Sequence, residues 1–290
     1  MAIQIIGDRR DWNKINSNLV DRLNKEAETE KEEKPKKKKA KSLETPQTEN
    51  FTPLIVETNI DPSEYVRIGI NGLKGNPVLI SKFEIPSANN KNYNETHEFV
   101  LSKGLYIPTP AIFMTYFKNV MDAHDRKAKL FDGNGQEIKA KELKDIYQHL
   151  TKDHIDVYSG GNVGAWTWLN ARFVKGTGFK SLDLETIIGI DKKGNFQTEE
   201  EPLLPCHNQD SYVDLQFNNQ GLATNQSGDQ NYKPGENIYF WTPRKDCVAG
   251  FGADAVRAGL SCWDPDYSDA SLGVFACAEG AVTKKSGGKK

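Results

Sequence analysis

The sequence predicts an α+β domain. Three observations carry this: short β-type runs at Tyr65-Val-Arg-Ile-Gly-Ile and Pro77-Val-Leu-Ile-Ser-Lys-Phe-Glu-Ile, apolar residues at helical spacing in 110–123 and 139–150, and a long glycine- and asparagine-rich β region after Gly160. Strand and helix do not alternate regularly, which excludes a doubly wound parallel sheet as the expected architecture. The 290 residues suffice for one large domain or two small ones.

Taken in order, residues 1–24 read as an N-terminal amphipathic helix, because Trp12, Ile15, Leu19 and Leu23 fall on one face. With nothing nearby to cover that face, a docking protein is its expected partner. Residues 25–50 contain Leu43 as the only aliphatic residue larger than alanine, no aromatic residue, and the run Lys36–Lys39. Too little apolar area is available to offset ordering entropy, so a disordered charged linker is expected. Residues 51–99 read as a β-rich N-terminal extension beginning with a strand at Phe51. Thr109-Pro110 then supplies the cap and first turn of a helix carrying Ile112, Phe113, Tyr116, Phe117, Val120 and Met121 on its apolar positions. Asp132-Gly133-Asn134-Gly135 is a turn, and Leu143, Ile146, Tyr147 and Leu150 mark the second helix. Residues 281–290 are expected to be a disordered basic tail.

The formal charge of −2 conceals an acidic body: residues 42–283 hold 22 basic and 32 acidic side chains. Such a body is a poor match for nucleic acid, whose phosphates need a positive face. The longest apolar stretches are far short of the ~20 residues of a membrane helix, so no membrane span is expected. The N-terminus turns charged at Asp8 before an export segment could form. No signal peptide is therefore expected, and the sequence leaves open whether the product stays in the cytoplasm, rides on a virus particle or is exported without a recognisable signal. Cys206, Cys247, Cys262 and Cys277 include no CxxC pair. They are expected as buried free thiols, with no metal site and no cofactor.

The most informative stretch runs from Val248 to Trp263. Ala249, Phe251 and Ala253 alternate with Gly250, Gly252 and Asp254; Ala258, Leu260 and Cys262 alternate with Gly259, Ser261 and Trp263. Period two puts each set on its own side of a strand. The first set is small or apolar throughout, as a packed inner face demands. The second is chemically mixed, which predicts a face that does not have to pack. Upstream, Trp166 and Trp168 sit two apart on one strand face and are expected to anchor the core.

Val248-Ala249-x-Phe251-x-Ala253, Arg257-Ala258-x-Leu260-x-Cys262, Pro265-x-x-Ser268 and Leu272-Gly273-Val274-x-Ala276-Cys277-Ala278-Glu279-Gly280 together resemble the C-terminal repeat of the variable proteins of diversity-generating retroelements, closest to the archaeal and uncultivated-bacterial type. The resemblance extends upstream through Gly104-Leu105-Tyr106-Ile107-Pro108-Thr109-Pro110, Trp166-Thr-Trp-Leu-Asn-Ala, Leu182-Asp-Leu-Glu-Thr and Gln220-Gly221-Leu222-Ala223-Thr224. It implies a C-type-lectin-like domain over residues 100–280, with two helices, short twisted strands and a variable repeat at about 245–275. A dedicated reverse transcriptase that misreads template adenines would rewrite that repeat. The protein would bind a ligand, an unidentified protein or cell-surface molecule, and catalyse nothing.

By the same resemblance the diversified positions are Gly250, Gly252, Asp254, Val256, Gly259, Ser261, Trp263, Asp264, Asp266, Tyr267, Asp269, Ala270 and Ser271, with Arg257 constant. An asparagine codon randomised at its adenines reaches Gly, Asp, Val, Ser, Tyr and Ala but not Trp. Trp263 therefore requires a different template codon or lies outside the diversified set. Tyr267 and Trp263 are the expected anchors, and Asp254, Asp264, Asp266 and Asp269 favour a basic or hydroxyl-bearing ligand.

Two other functions share the residues. Asp264, Asp266 and Asp269 could supply oxygens to calcium in a carbohydrate-binding lectin. Cys206 and His207, with Asp210 or Asp214, could form a thiol nucleophile in an enzyme of the formylglycine-generating type. Adjacent strand residues point to opposite faces, so that pair could meet only in an unusual turn. The other histidines, His97, His124, His149 and His154, are scattered and read as structural.

Overall fold

The computed structural model describes residues 60–69, 78–151, 164–254 and 256–279, all within one unit, Thr58–Lys290. The expected helix of 1–24, the linker of 25–50, the strand at Phe51, His154 and the tail of 281–290 lie outside the described residues. Among the described residues the chain runs β1 (Tyr65–Ile68), β2 (Val78–Ser81), α1 (Tyr93–Leu101), α2 (Pro110–His124), α3 (Ala140–Thr151), β3 (Trp166–Lys175), β4 (Leu182–Ile190), β5 (Phe196–Pro202), β6 (Ser211–Asp214), β7 (Asn237–Phe240), β8 (Val248–Ala253), β9 (Ala258–Trp263) and β10 (Cys277–Glu279). This is a mixed α+β fold. The strands form a three-stranded sheet, β1-β2-β10, and a seven-stranded sheet, β5-β4-β3-β8-β9-β7-β6.

The two expected helices form for the expected reasons. Thr109 caps α2, its side chain accepting from the Ile112 N–H, and Pro110 occupies the first turn, where a missing N–H costs nothing. The face carrying Phe113, Tyr116, Phe117 and Val120 is buried. α3 buries Ile146, Tyr147 and Leu150, and the Tyr147 ring stacks on His124 at 3.6 Å between centroids. Between them Asp132 Oδ1 accepts from the N–H groups of Asn134 and Gln136, closing the predicted turn.

Two expectations about the first part of the chain need correction. The segment read as β-rich over 51–99 also carries most of a helix, α1, ahead of the two expected ones. α1 begins with a capping box in which the Asn92 side chain accepts from the Glu95 N–H and the Glu95 carboxylate accepts from the Asn92 N–H. Nor does residue 99 end a separate extension. β2 pairs with β10 near the far end of the described chain, and Tyr65, Leu79, Val100, Ile107, Val274 and Ala276 share one buried cluster.

The cysteine expectation is corrected as well. Cys247 and Cys262 are joined in a disulfide, with Cα atoms 5.6 Å apart, while Cys206 and Cys277 are free. β8 and β9 pair with Ala249 opposite Cys262, so Cys247, one residue before β8, falls within bridging distance at the open end of the hairpin.

His97, on α1, is fully buried. Its ring meets Tyr93 at 4.6 Å and Phe196 at 6.1 Å, and burial pushes its pKa down to about 3.

Two predictions follow from this packing. The bond closes a loop with a sequence separation of 15. Replacing both Cys247 and Cys262 by Ser is expected to lower the unfolding free energy by about 3 kcal/mol, read from denaturant titration; an unmoved midpoint would mean the cross-link adds no loop-closure stabilisation. Unfolded, His97 takes up a proton near its ordinary value of 6.5, whereas folded it resists until about 3. Its stabilising contribution is therefore complete above that ordinary value and drains away as pH falls, by up to ~1.4 kcal/mol per unit. His97→Leu should show a shallower loss of stability than the native chain between pH 7 and pH 5. Identical slopes would sink the argument.

Candidate ligand-binding surface

The hairpin of β8 and β9 sits at the centre of the larger sheet, between β3 and β7. Its inward set behaves as predicted. Phe251, Leu260 and Cys262 are fully buried, and the Phe251 ring packs at 4.9 Å from Phe113 and 5.4 Å from Phe117 of α2.

The other face does not behave as predicted. Register places Trp166 opposite Gly252 and Trp168 opposite Gly250, with Gly259 opposite Gly252 and Ser261 opposite Gly250. Tyr239 of β7 pairs in parallel with Gly259, so it joins the same face. Trp263 is only 1% exposed; its ring stacks on Trp166 at 5.8 Å and meets Trp168 edge-on at 5.3 Å. Gly250 is glycine because a Cβ there would fall 2.2 Å from the Trp263 ring. A Cβ on Gly259 would fall 2.9 Å from both the Tyr239 carbonyl oxygen and the Trp241 ring. Gly250, Gly252, Gly259, Ser261 and Trp263 are all buried. The expectation that this face need not pack is thus corrected: it packs, by setting glycines against indoles. Trp263 is a packing residue in this chain, not a surface anchor.

The remaining predicted positions occupy two loops. At the closed end of the hairpin, Asp254 Oδ1 accepts from the N–H groups of Val256 and Arg257, holding the turn. Val256 is 69% exposed. Arg257 folds back, its guanidinium 4.4 Å above the Tyr239 ring and 4.8 Å above that of Trp241. This gives a physical reason for a fixed arginine there.

The second loop leaves the end of β9 at Asp264 and returns to Gly273, whose N–H donates to the Trp166 carbonyl; it therefore spans the length of the hairpin. Asp266, Ala270 and Ser271 are exposed, and Asp264, Tyr267 and Asp269 half-buried. Asp264 Oδ1 accepts from the Asp266 N–H. Asp269 Oδ1 accepts from the Ser271 N–H and hydroxyl, and its Oδ2 from the Tyr267 hydroxyl at 3.2 Å. Segment 89–93 supports the loop: the Asn89 side chain donates to the Ala270 carbonyl, the Asn90 N–H to that of Asp269, and the Tyr93 N–H to that of Pro265. These supports, and the Tyr239 and Trp241 flank, were missed in the sequence. Segment 89–93 contacts the stretch from far away in the chain and Tyr239 and Trp241 from just ahead of it, and no local pattern marks either.

No protein-family model, no curated protein and no solved structure matches this chain.

The geometry also bears on the alternatives. Among the described residues no group of three or more His, Cys, Asp or Glu side chains is placed to share a metal ion. Asp264 and Asp269 each spend an oxygen on their own loop. His207 Nε2 lies 2.9 Å from Ser211 Oγ, while Asp210 pairs with Arg244 and accepts from the Thr242 N–H. Asp214 lies on β6. His149 Nε2 is 2.6 Å from Glu84 Oε2, a contact between α3 and the segment after β2.

Burial pushes the Cys206 thiol up to about 11, with the Lys180 ammonium opposing the shift. On the order of one thiol in a thousand is then ionised at pH 8, the reverse of an activated nucleophile. Alkylation of Cys206 by iodoacetamide, followed by mass spectrometry, should rise about tenfold per pH unit between pH 7 and pH 9. A rate that levels off below pH 8 would restore the nucleophile.

Proposed function

We propose that this chain is a ligand-binding protein with a C-type-lectin-like fold, whose repeat at about 245–275 is diversified by adenine-directed retroelement mutagenesis. No catalysis is assigned to it. The observation that carries the reading is a division within one stretch of chain. Among the positions that the resemblance holds constant, Phe251, Leu260 and Cys262 are fully buried, whereas the loop positions Val256, Asp266, Ala270 and Ser271, which it holds variable, are exposed; the variable strand positions Gly250, Gly252, Gly259, Ser261 and Trp263 are buried as well.

Ligand contact is assigned to the two loops, with Val256 at one and Asp266, Tyr267, Ala270 and Ser271 at the other. Half-buried Asp254, Asp264 and Asp269 lend the surface negative charge, suited to a basic or hydroxyl-bearing patch on a protein or cell-surface molecule. A place on a virus particle, in the cytoplasm or at another surface is compatible with this role.

The decisive experiment is to sequence the flanking DNA. A near-duplicate of the codons for residues 245–275, differing only at adenines and lying beside a reverse-transcriptase gene, is expected; its absence removes the reading. A protein-level check accompanies it. Pooled substitutions at Val256, Asp266, Ala270 and Ser271 should each shift stability by no more than about 0.5 kcal/mol, whereas Phe251→Ala should cost about 3–5 kcal/mol. Comparable losses at both groups would mean that the loops are structural and not free to vary.

A further inference from the structure

We propose that Trp166, Trp168 and Gly250 form a slot for a flat aromatic group, filled in this chain by its own Trp263. Each side of the slot is made by a different device. Trp166 is a plate nearly parallel to the Trp263 ring, at 19° and 5.8 Å; Trp168 is a wall set at 81° and 5.3 Å. Gly250 is the floor, so close that a Cβ there would lie 2.2 Å from two carbons of the six-membered ring and 2.8 Å from a third. On the loop side Tyr267 closes the space at 6.5 Å.

A stacked plate, a perpendicular edge and a floor without a side chain select for thickness and planarity. An indole or phenyl group fits between them, and a branched aliphatic group meets the floor. Trp166 and Trp168 lie on β3, outside the repeat, so two sides of the slot persist whatever stands at 263. Cavities of this kind, lined by apolar rings and left empty by truncation, stay dry and take up small aromatic molecules.

Replacing Trp263 by a small residue therefore converts a packed layer into a recognition pocket. The slot is a property of this chain and does not depend on the proposed diversification. The contact further implies that positions 250 and 263 are coupled, since any side chain at 250 must enter the space of the residue at 263.

The test uses the full chain with Trp263→Ala and free indole as the probe, followed by calorimetric titration and thermal melting. One indole per chain is expected to bind, raising the melting temperature of the variant by several degrees and leaving that of the native chain unmoved. Adding Gly250→Val to Trp263→Ala should abolish indole binding and recover part of the lost thermal stability, whereas Gly250→Val alone should lower it. A folded Trp263→Ala chain that ignores indole, or indole binding indifferent to Gly250→Val, overturns the proposal. Should Trp263→Ala fail to fold alone, refolding with indole decides: recovery that rises with indole concentration supports the slot, and no recovery at any concentration overturns it. Failure here leaves the retroelement reading standing. Absence of the flanking DNA duplicate removes that reading and leaves the slot.

Discussion

A two-stranded hairpin buried on both faces constrains everything around it. Antiparallel strands commonly keep one face for the core and one for water. Here β8 and β9 press Phe251 against Phe113 and Phe117 on one side and admit the Trp166, Trp168 and Trp263 rings on the other. The indoles fit because the strand offers glycine where they approach, so the layer is held by pairing large with small across strands. Keeping the Trp263 ring in place requires Gly250 to remain a glycine, and keeping Trp241 in place requires the same of Gly259. The freedom available to this part of the chain is displaced to the ends of the hairpin, in the turn at Val256 and the loop after Asp264.

That displacement accounts for what could be read in the sequence and what could not. The inward face was legible, because Ala249, Phe251, Ala253, Leu260 and Cys262 are uniform in type along one strand period. The helix at 110–124 was legible from its cap, its proline and its apolar spacing. The outer face was not. Gly250 looks indifferent to packing in the sequence, since the Trp263 ring that explains it comes to lie over it only once β8 and β9 are paired. Mixed residue types on one strand face therefore do not amount to freedom from packing. α1 was missed because its signal is the reciprocal Asn92 and Glu95 cap, not a long apolar stripe. The disulfide was missed because a separation of 15 carries no signature until the hairpin places the two cysteines together.

The aspartates of the two loops gain a second role by the same logic. Asp254, Asp264 and Asp269 each turn an oxygen toward N–H groups of their own loop, and so fix backbone shape before they present charge. All three are at most half-buried, so their charge still contributes to the surface while the loops are held from within. A binding surface built this way loses less entropy on meeting a ligand than one built on loose loops.

Fixing the ends of a loop matters most where its contents are to change. The cross-link between Cys247 and Cys262 ties the open end of the hairpin, and both residues are fully buried, which shields the bond from attack by solvent thiols. Asp254 ties the closed end, and Asn89, Asn90 and the Tyr93 backbone tie the second loop from outside the repeat. Because most substitutions destabilise, a surface can sample residues only if the stability that tolerates them comes from elsewhere. In this chain much of it comes from a disulfide, a phenylalanine layer and a neighbouring segment, none of which depends on the exposed side chains at 256, 266, 270 and 271. The arrangement separates what holds the loops from what the loops display, and that separation is the physical condition a variable binding surface has to meet.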